Sequence, residues 1–195
     1  MSAKFSQTTA DFLEWNQAMN LIRNLYNDEN YRISLLIACG TFWGLRISDI
    51  LKLKWEQVLD KDEFMLVEGK TKKDREIKIN FQLKRHIKDC YTQINPQSKD
   101  EFIFISQKGC VFSIQRINVI LKSLKTKYNI KIKNFSSHSL RKSFGREIFN
   151  RSGSNAELAL VKLSQLFNHS NSAITRRYLG ISKEELMQTY DILSF

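Results

Sequence analysis

Residues 138–180 read HSLRKSFGREIFNRSGSNAELALVKLSQLFNHSNSAITRRYLG. The spacing predicts two helices, over 137–151 and 155–167, then a polar break and a segment rich in arginine. His138 and Arg141 stand three apart, which puts them on one helix face. His169 follows Asn168 where the second helix is expected to end, and Tyr178 comes nine positions later. Taken singly, each has a plain structural role open to it: an ion pair, a capped carbonyl, a packed ring. Together they suit one chemistry. Arginine offers a fixed fork of donors to phosphate oxygens, histidine moves protons near neutral pH, and deprotonated tyrosine is a nucleophile. The phrase GLRISDIL at 44–51 adds a second arginine, Arg46.

Working outward, Phe12, Leu13, Trp15, Met19, Ile22 and Leu25 recur at helical spacing, so a helix is expected over 11–26, with Thr8 or Thr9 as its cap. A second helix over 30–43 is apolar on most sides and should be central to the core. Gly44 breaks it, and a short helix over 47–53 follows. The period then changes. FMLVEG at 64–69 and REIKIN at 75–80 are short and β-rich, the second alternating Ile77 and Ile79 with Glu76 and Lys78. The KTKKD between them predicts a β-hairpin with a cationic tip. Beyond it come a helix over 81–93, the loop NPQSKDE, a strand FIFI at 102–105 and a helix near 113–128. Ser182 and Glu185 match a capping box opening a last helix of about eight residues. The fold class is mainly α with a small antiparallel β-sheet.

With 195 residues, 42% of them hydrophobic, and one proline, Pro96, the chain suits one folded domain. Its formal net charge of +11 points to a polyanionic partner. The N-terminus lacks the apolar core of a signal peptide, and ISLLIACGTFWG at 33–44 is too short to span a bilayer. Cys39, Cys90 and Cys110 lack ligand spacing and are expected as buried thiols in a reducing, cytoplasmic setting. No metal site and no cofactor is expected. Asp49 is expected to hold its helix by pairing with a neighbour.

Order, spacing and context of these motifs resemble the tyrosine recombinases, the phage-integrase family. GTFWGLRISDILKLKWEQV resembles the first motif, SHSLRKSFGREIF the second and FNHSNSAITRRYLG the third, while EGKTKKDR resembles the β-turn that carries the family's lysine. The resemblance runs from about residue 9 to 181. It implies the catalytic-domain fold of DNA breaking and rejoining enzymes. It also implies that Arg46 and Arg141 clamp the scissile phosphate, His138 acts as general acid/base and His169 donates to a phosphate oxygen. Tyr178 would attack phosphorus, leaving a 3′-phosphotyrosyl link. Lys70 is the preferred proton donor to the 5′-oxygen, with Lys72 next. Lys72, Lys73, Lys142, Arg176 and Arg177 are expected to contact DNA. No metal or ATP would be needed. Phe167–Asn168–His169 departs from the family's Leu-Gly-His, although asparagine tolerates the left-handed backbone that glycine supplies.

The resemblance divides the chain into a polar lead-in at 1–9, a catalytic domain at 10–181 and a tail at 182–195. Family members usually carry a DNA-binding domain ahead of the catalytic one, and none fits in residues 1–9. The chain is therefore expected to be a fragment, or else a single-domain member. The expected partner is double-stranded DNA, with a free monomer assembling to dimer and tetramer on it. Leu186, Met187, Tyr190, Ile192, Leu193 and Phe195 would pack on their own domain or dock on a neighbouring protomer. Site-specific recombination is the leading function. The alternatives are an inactive DNA-binding protein on this scaffold and a type IB topoisomerase-like enzyme.

Overall fold

The computed structural model describes residues 10–70 and 72–191. The expected lead-in with Thr8 and Thr9, Thr71 of the hairpin tip, and Ile192, Leu193 and Phe195 lie outside them. Among the described residues the helices run α1 Trp15–Asn27, α2 Tyr31–Trp43, α3 Ile47–Ile50, α4 Trp55–Val58, α5 Phe81–Ile94, α6 Ile114–Lys127, α7 Ser137–Arg151, α8 Ala156–Phe167, α9 Ser172–Leu179 and α10 Ile181–Tyr190. Two strands, β1 Glu63–Val67 and β2 Asp74–Lys78, pair antiparallel with Phe64 opposite Ile77. The expected mainly helical chain with one small hairpin is what forms.

Helix α2 is buried along most of its length and packs on α1, α5 and α7, so its apolar circumference has a physical purpose. Its close approach to α7 needs Gly40, where a Cβ would lie 2.7 Å from Leu140 Cδ1. Gly44 then ends the helix with φ +57, and a Cβ there would lie 2.3 Å from the Phe144 ring. Most of the apolar interior forms one cluster around α2. A second, smaller cluster of Leu160, Leu163, Phe167, Leu179 and Ile181 is built by α8, α9 and the start of α10.

Four local expectations are corrected. Helix α1 starts at Trp15 rather than near Asp11, because Asp11 pairs with Asn134 instead: its N–H meets the Asn134 carbonyl at 3.2 Å and its Oδ2 accepts from Asn134 N–H at 3.1 Å. The 102–105 segment makes isolated bridges, Lys54 to Phe102 and Ile105 to Val111, rather than a strand. Ile103 and Phe104 are both fully buried, so the alternation of a half-buried strand is absent. The Ser182 capping box does not form. Gly180, at φ +82, ends α9 and opens α10 directly, and Glu185 pairs with Arg176. Cys39 and Cys90 are buried, but Cys110 is exposed.

Candidate active site

Arg46, Lys70, His138, Arg141, His169 and Tyr178 all line one cavity of about 350 Å³. Its wall draws on both apolar clusters, with Leu45 from the larger and Phe167 from the smaller. Every side chain that sequence marked for chemistry therefore meets at the seam between two cores.

Arg141 is the most enclosed of the set, 5% exposed. Its Nη1 donates to the Gly44 carbonyl at 2.5 Å and its Nη2 to the Phe167 carbonyl at 3.0 Å. These are the last turns of α2 and α8, where carbonyls lack helical partners. The guanidinium also stacks over the Phe167 ring at 4.3 Å. Burial lowers its pKa to about 10, which leaves it protonated at neutral pH.

Arg46 sits just before α3 and donates from Nη1 to Glu68 Oε2 at 2.6 Å. Asp49, expected to pair with a neighbour, accepts from the Gly69 N–H at 3.1 Å through Oδ1 and so pins the hairpin to α3. The turn closes where the Lys72 N–H donates to the Glu68 carbonyl at 2.9 Å and the Glu68 N–H to the Lys73 carbonyl at 3.0 Å. Lys70 is thereby held at the cavity. Lys72, at φ +56, and Lys73 are exposed away from the lining.

Asn168 adopts the left-handed conformation, φ 52, that its residue type allows. That turn brings His169 back over the smaller core, where its Nδ1 meets Thr175 Oγ1 at 2.9 Å. Burial, then Arg141 and Arg46, lower the His169 pKa, which favours the neutral ring. His138 reaches solvent, yet the protein packed around it, then Arg141 and Lys142, lower its pKa also.

Tyr178 lies on α9, a helix that sequence reading had not marked. Its ring stands on Phe167 at 5.7 Å between centroids, and its buried hydroxyl has no hydrogen-bond partner among the described residues. Burial raises the phenol pKa to about 12, against the pull of Arg141 and then Arg46. Arg141 acts on the phenol through its charge first and through hydrogen bonding second, and two of its five N–H donors are spent on the carbonyls.

The residues expected to contact DNA separate by environment. Lys142 is buried, with Nζ 5.2 Å from the Tyr178 ring centre. Arg177 is exposed and, with Lys142, lines a groove of about 890 Å³ that shares His138 and Tyr178 with the cavity. Lys122, Lys125 and Lys133 also line it, and sequence reading had missed them. Lys122 and Lys125 fall on the polar face of α6, where they read as ordinary solvated charge. Arg176 points elsewhere, paired with Glu157 and Glu185. Glu68 was missed as well: it sits in the hairpin phrase beside Gly69 and carries no catalytic signature.

Among the described residues no helix is long and apolar enough to cross a membrane. Residues 11–185 match the phage integrase family. The chain is 30% identical over 167 residues to the probable integrase/recombinase YoeC of Bacillus subtilis, covering 85% of this chain and 86% of that protein. It is 26% identical over 194 residues to the tyrosine recombinase XerD of Staphylococcus saprophyticus, covering 96% of this chain but only 64% of that one. In fold it is similar to XerA recombinase, with a TM-score of 0.71 at 20% identity over 96% of this chain and 67% of the other. It is also similar to XerH recombinase bound to its difH substrate, with a TM-score of 0.69 at 18% identity over 94% and 53%. Motif order, convergent geometry and these likenesses agree: the chain belongs to the phage integrase family of tyrosine recombinases.

Proposed function

We propose that this chain cuts and rejoins duplex DNA at specific sites through a covalent bond between Tyr178 and a 3′-phosphate. Tyr178 Oη bonds to phosphorus while the bond from phosphorus to the 5′-oxygen breaks. The phenol proton passes to His138, whose lowered pKa favours the unprotonated ring, and Lys70 gives a proton to the departing 5′-oxygen. Arg46, Arg141 and His169 hold the non-bridging oxygens and stabilise the charge that grows on them. The phosphotyrosyl ester keeps the energy of the bond it replaces, so rejoining to a new 5′-hydroxyl is the same step reversed. Neither a metal ion nor ATP enters.

One observation carries the reading: six side chains of the needed types, drawn from five separate segments, line a single cavity with the Tyr178 hydroxyl unbonded. The neighbouring basic groove supports duplex DNA as the partner, as does the XerH neighbour solved with its DNA substrate. Helix α10 supports assembly on DNA, because Leu186, Met187 and Tyr190 are 68%, 58% and 75% exposed rather than packed on their own domain. A domain spanning 10–181 with a docking tail, on DNA in a bacterial cytoplasm, completes the proposal.

The test is a pool of nicked random-sequence duplexes incubated with the protein in EDTA. An SDS-stable protein–DNA adduct that Tyr178→Phe abolishes supports the reading, and sequencing the captured DNA gives the site. DNA binding without any adduct would favour a binding protein. Relaxation of every plasmid regardless of sequence would favour a topoisomerase.

A further inference from the structure

The carboxylate of Glu68 is 1% exposed and lies behind Arg46, which lines the cavity. Its Oε2 accepts from Arg46 Nη1 at 2.6 Å and from Asn168 Nδ2 at 2.8 Å. Its Oε1 faces Arg75 Nη1 at 3.5 Å, and the same Arg75 nitrogen donates to the Leu166 carbonyl at 2.8 Å. One carboxylate thus joins the hairpin, the segment before α3 and the end of α8. Catalytic groups flank each junction: Lys70 is two residues from Glu68, His169 is next to Asn168, and Arg46 is bonded directly.

A buried ion pair is weak evidence for stability, because desolvating the charges offsets most of their attraction. Apolar residues in place of the whole set could fill the same space at little loss, although removing the carboxylate alone would strand its partners. What an apolar residue could not do is fix the direction of a guanidinium and an amide at once. A planar carboxylate with several acceptor directions does so.

We infer that Glu68 is a positioning residue that sets the spacing of Arg46, Lys70 and His169 around the phosphate, with Asn168 as its second anchor. The inference rests on the proposed DNA-cleaving function, but its first test uses no DNA. Bulk electrostatics and positioning make opposite predictions for Glu68→Gln. Removing a negative charge beside two arginines should tighten anion binding if Glu68 only tempers the field. If Glu68 positions Arg46, binding should weaken although the net charge has risen.

The measurement is titration of the full chain with inorganic sulfate at fixed ionic strength, read by the NMR signals of His138 and His169. The expected result is at least fivefold weaker binding in Glu68→Gln. Asn168→Gly keeps the left-handed backbone and deletes only the amide donor; it should weaken binding about twofold and shift the His169 signal more than that of His138. Sulfate binding equal to or tighter than the parent in Glu68→Gln, with a lowered melting temperature alone, would assign Glu68 a purely structural role and overturn the inference. If Glu68→Gln does not fold, Asn168→Gly decides by the same criterion, and unchanged binding and signals would overturn it. A parent chain that binds sulfate as expected but never forms a DNA adduct would refute the proposed function and leave the positioning role standing.

Discussion

The imidazole of His169 stands edge-on to the phenol of Tyr178, ring centroids 5.3 Å apart and planes at 74°. The imidazole is fixed by Thr175, a fully buried residue whose Oγ1 lies 2.9 Å from Nδ1. The phenol oxygen has no such tie among the described residues. The proposed nucleophile and the proposed phosphate ligand are therefore separable by mutation. Tyr178→Phe should abolish the covalent DNA adduct while the melting temperature holds or rises, since it deletes a buried hydroxyl that makes no bond. Thr175→Val should keep the adduct but slow its formation about tenfold through a loosened His169. Quenched-time adduct assays beside thermal melts check both.

Arg141 binds two carbonyls from different helices, which a lysine's single ammonium cannot reproduce. Arg141→Lys should cost about 1–3 kcal/mol of stability, as one buried carbonyl loses its donor. Cleavage should fall by about 100-fold or more, the usual scale for losing a preorganised donor to a charged transition state. Denaturant melts and single-turnover cleavage give the two numbers, and a conservative outcome in both would contradict the geometry.

The hairpin lysines divide by location. Lys70→Ala should lower the cleavage rate by about 100-fold, within the range of general-acid catalysis. Lys72→Ala, whose side chain is outside the cavity, should change only DNA affinity and its salt dependence. A substrate whose 5′-bridging oxygen is sulfur has a leaving group that needs no proton. It should restore Lys70→Ala to near the parent rate, and failure of that rescue would reassign Lys70 to phosphate binding.

Folding lowers the pKa of all three histidines. Burial is the leading cause at each, reinforced by Arg141 and Lys142 at His138 and by Arg141 and Arg46 at His169, and opposed by Asp89 at His86. As pH falls through the unfolded histidine value of about 6.5, the unfolded chain takes up protons that the folded chain refuses. Stability should be level above that point and decline below it until the folded values are passed. Asp28, Asp62 and Asp100, each lowered first by a lysine hydrogen bond, add to the loss only below about pH 4. Melting temperatures measured from about pH 7.5 to 5 should fall, and replacing His138 and His169 together with glutamine should flatten the slope.

Helices α2, α5, α6, α7 and α8 were legible in sequence within a residue or two, because a sustained apolar period survives without knowledge of partners. The short α4 and the 102–105 segment were not. Their conformation follows from contacts such as the Trp55 N–H on the Glu101 carbonyl at 3.2 Å and the Ile103 N–H on the Leu53 carbonyl at 2.9 Å, which no local pattern encodes. The site divides the same way. Arg46, Arg141, His138, His169 and Tyr178 announce themselves by residue type and order. Glu68 does not, since the role proposed for it depends on what it faces across about a hundred residues of chain, down to Asn168. Arg176 looked like a DNA contact beside Arg177, but the turn of α9 separates neighbours in sequence and delivers it to two glutamates.

The smaller apolar cluster has a consequence for control. It holds five buried residues against the many of the main core, so it is the portion of the fold with least to lose on opening. Such an opening would carry off Tyr178, His169 and the Asn168 anchor of Glu68, leaving Arg46 bonded to Glu68 and the hairpin tied to Asp49. For a protein that cuts DNA, such an opening would serve as a resting form. The protein could keep its grip on the backbone with the blade withdrawn, and be rearmed by whatever presses α8 to α10 shut.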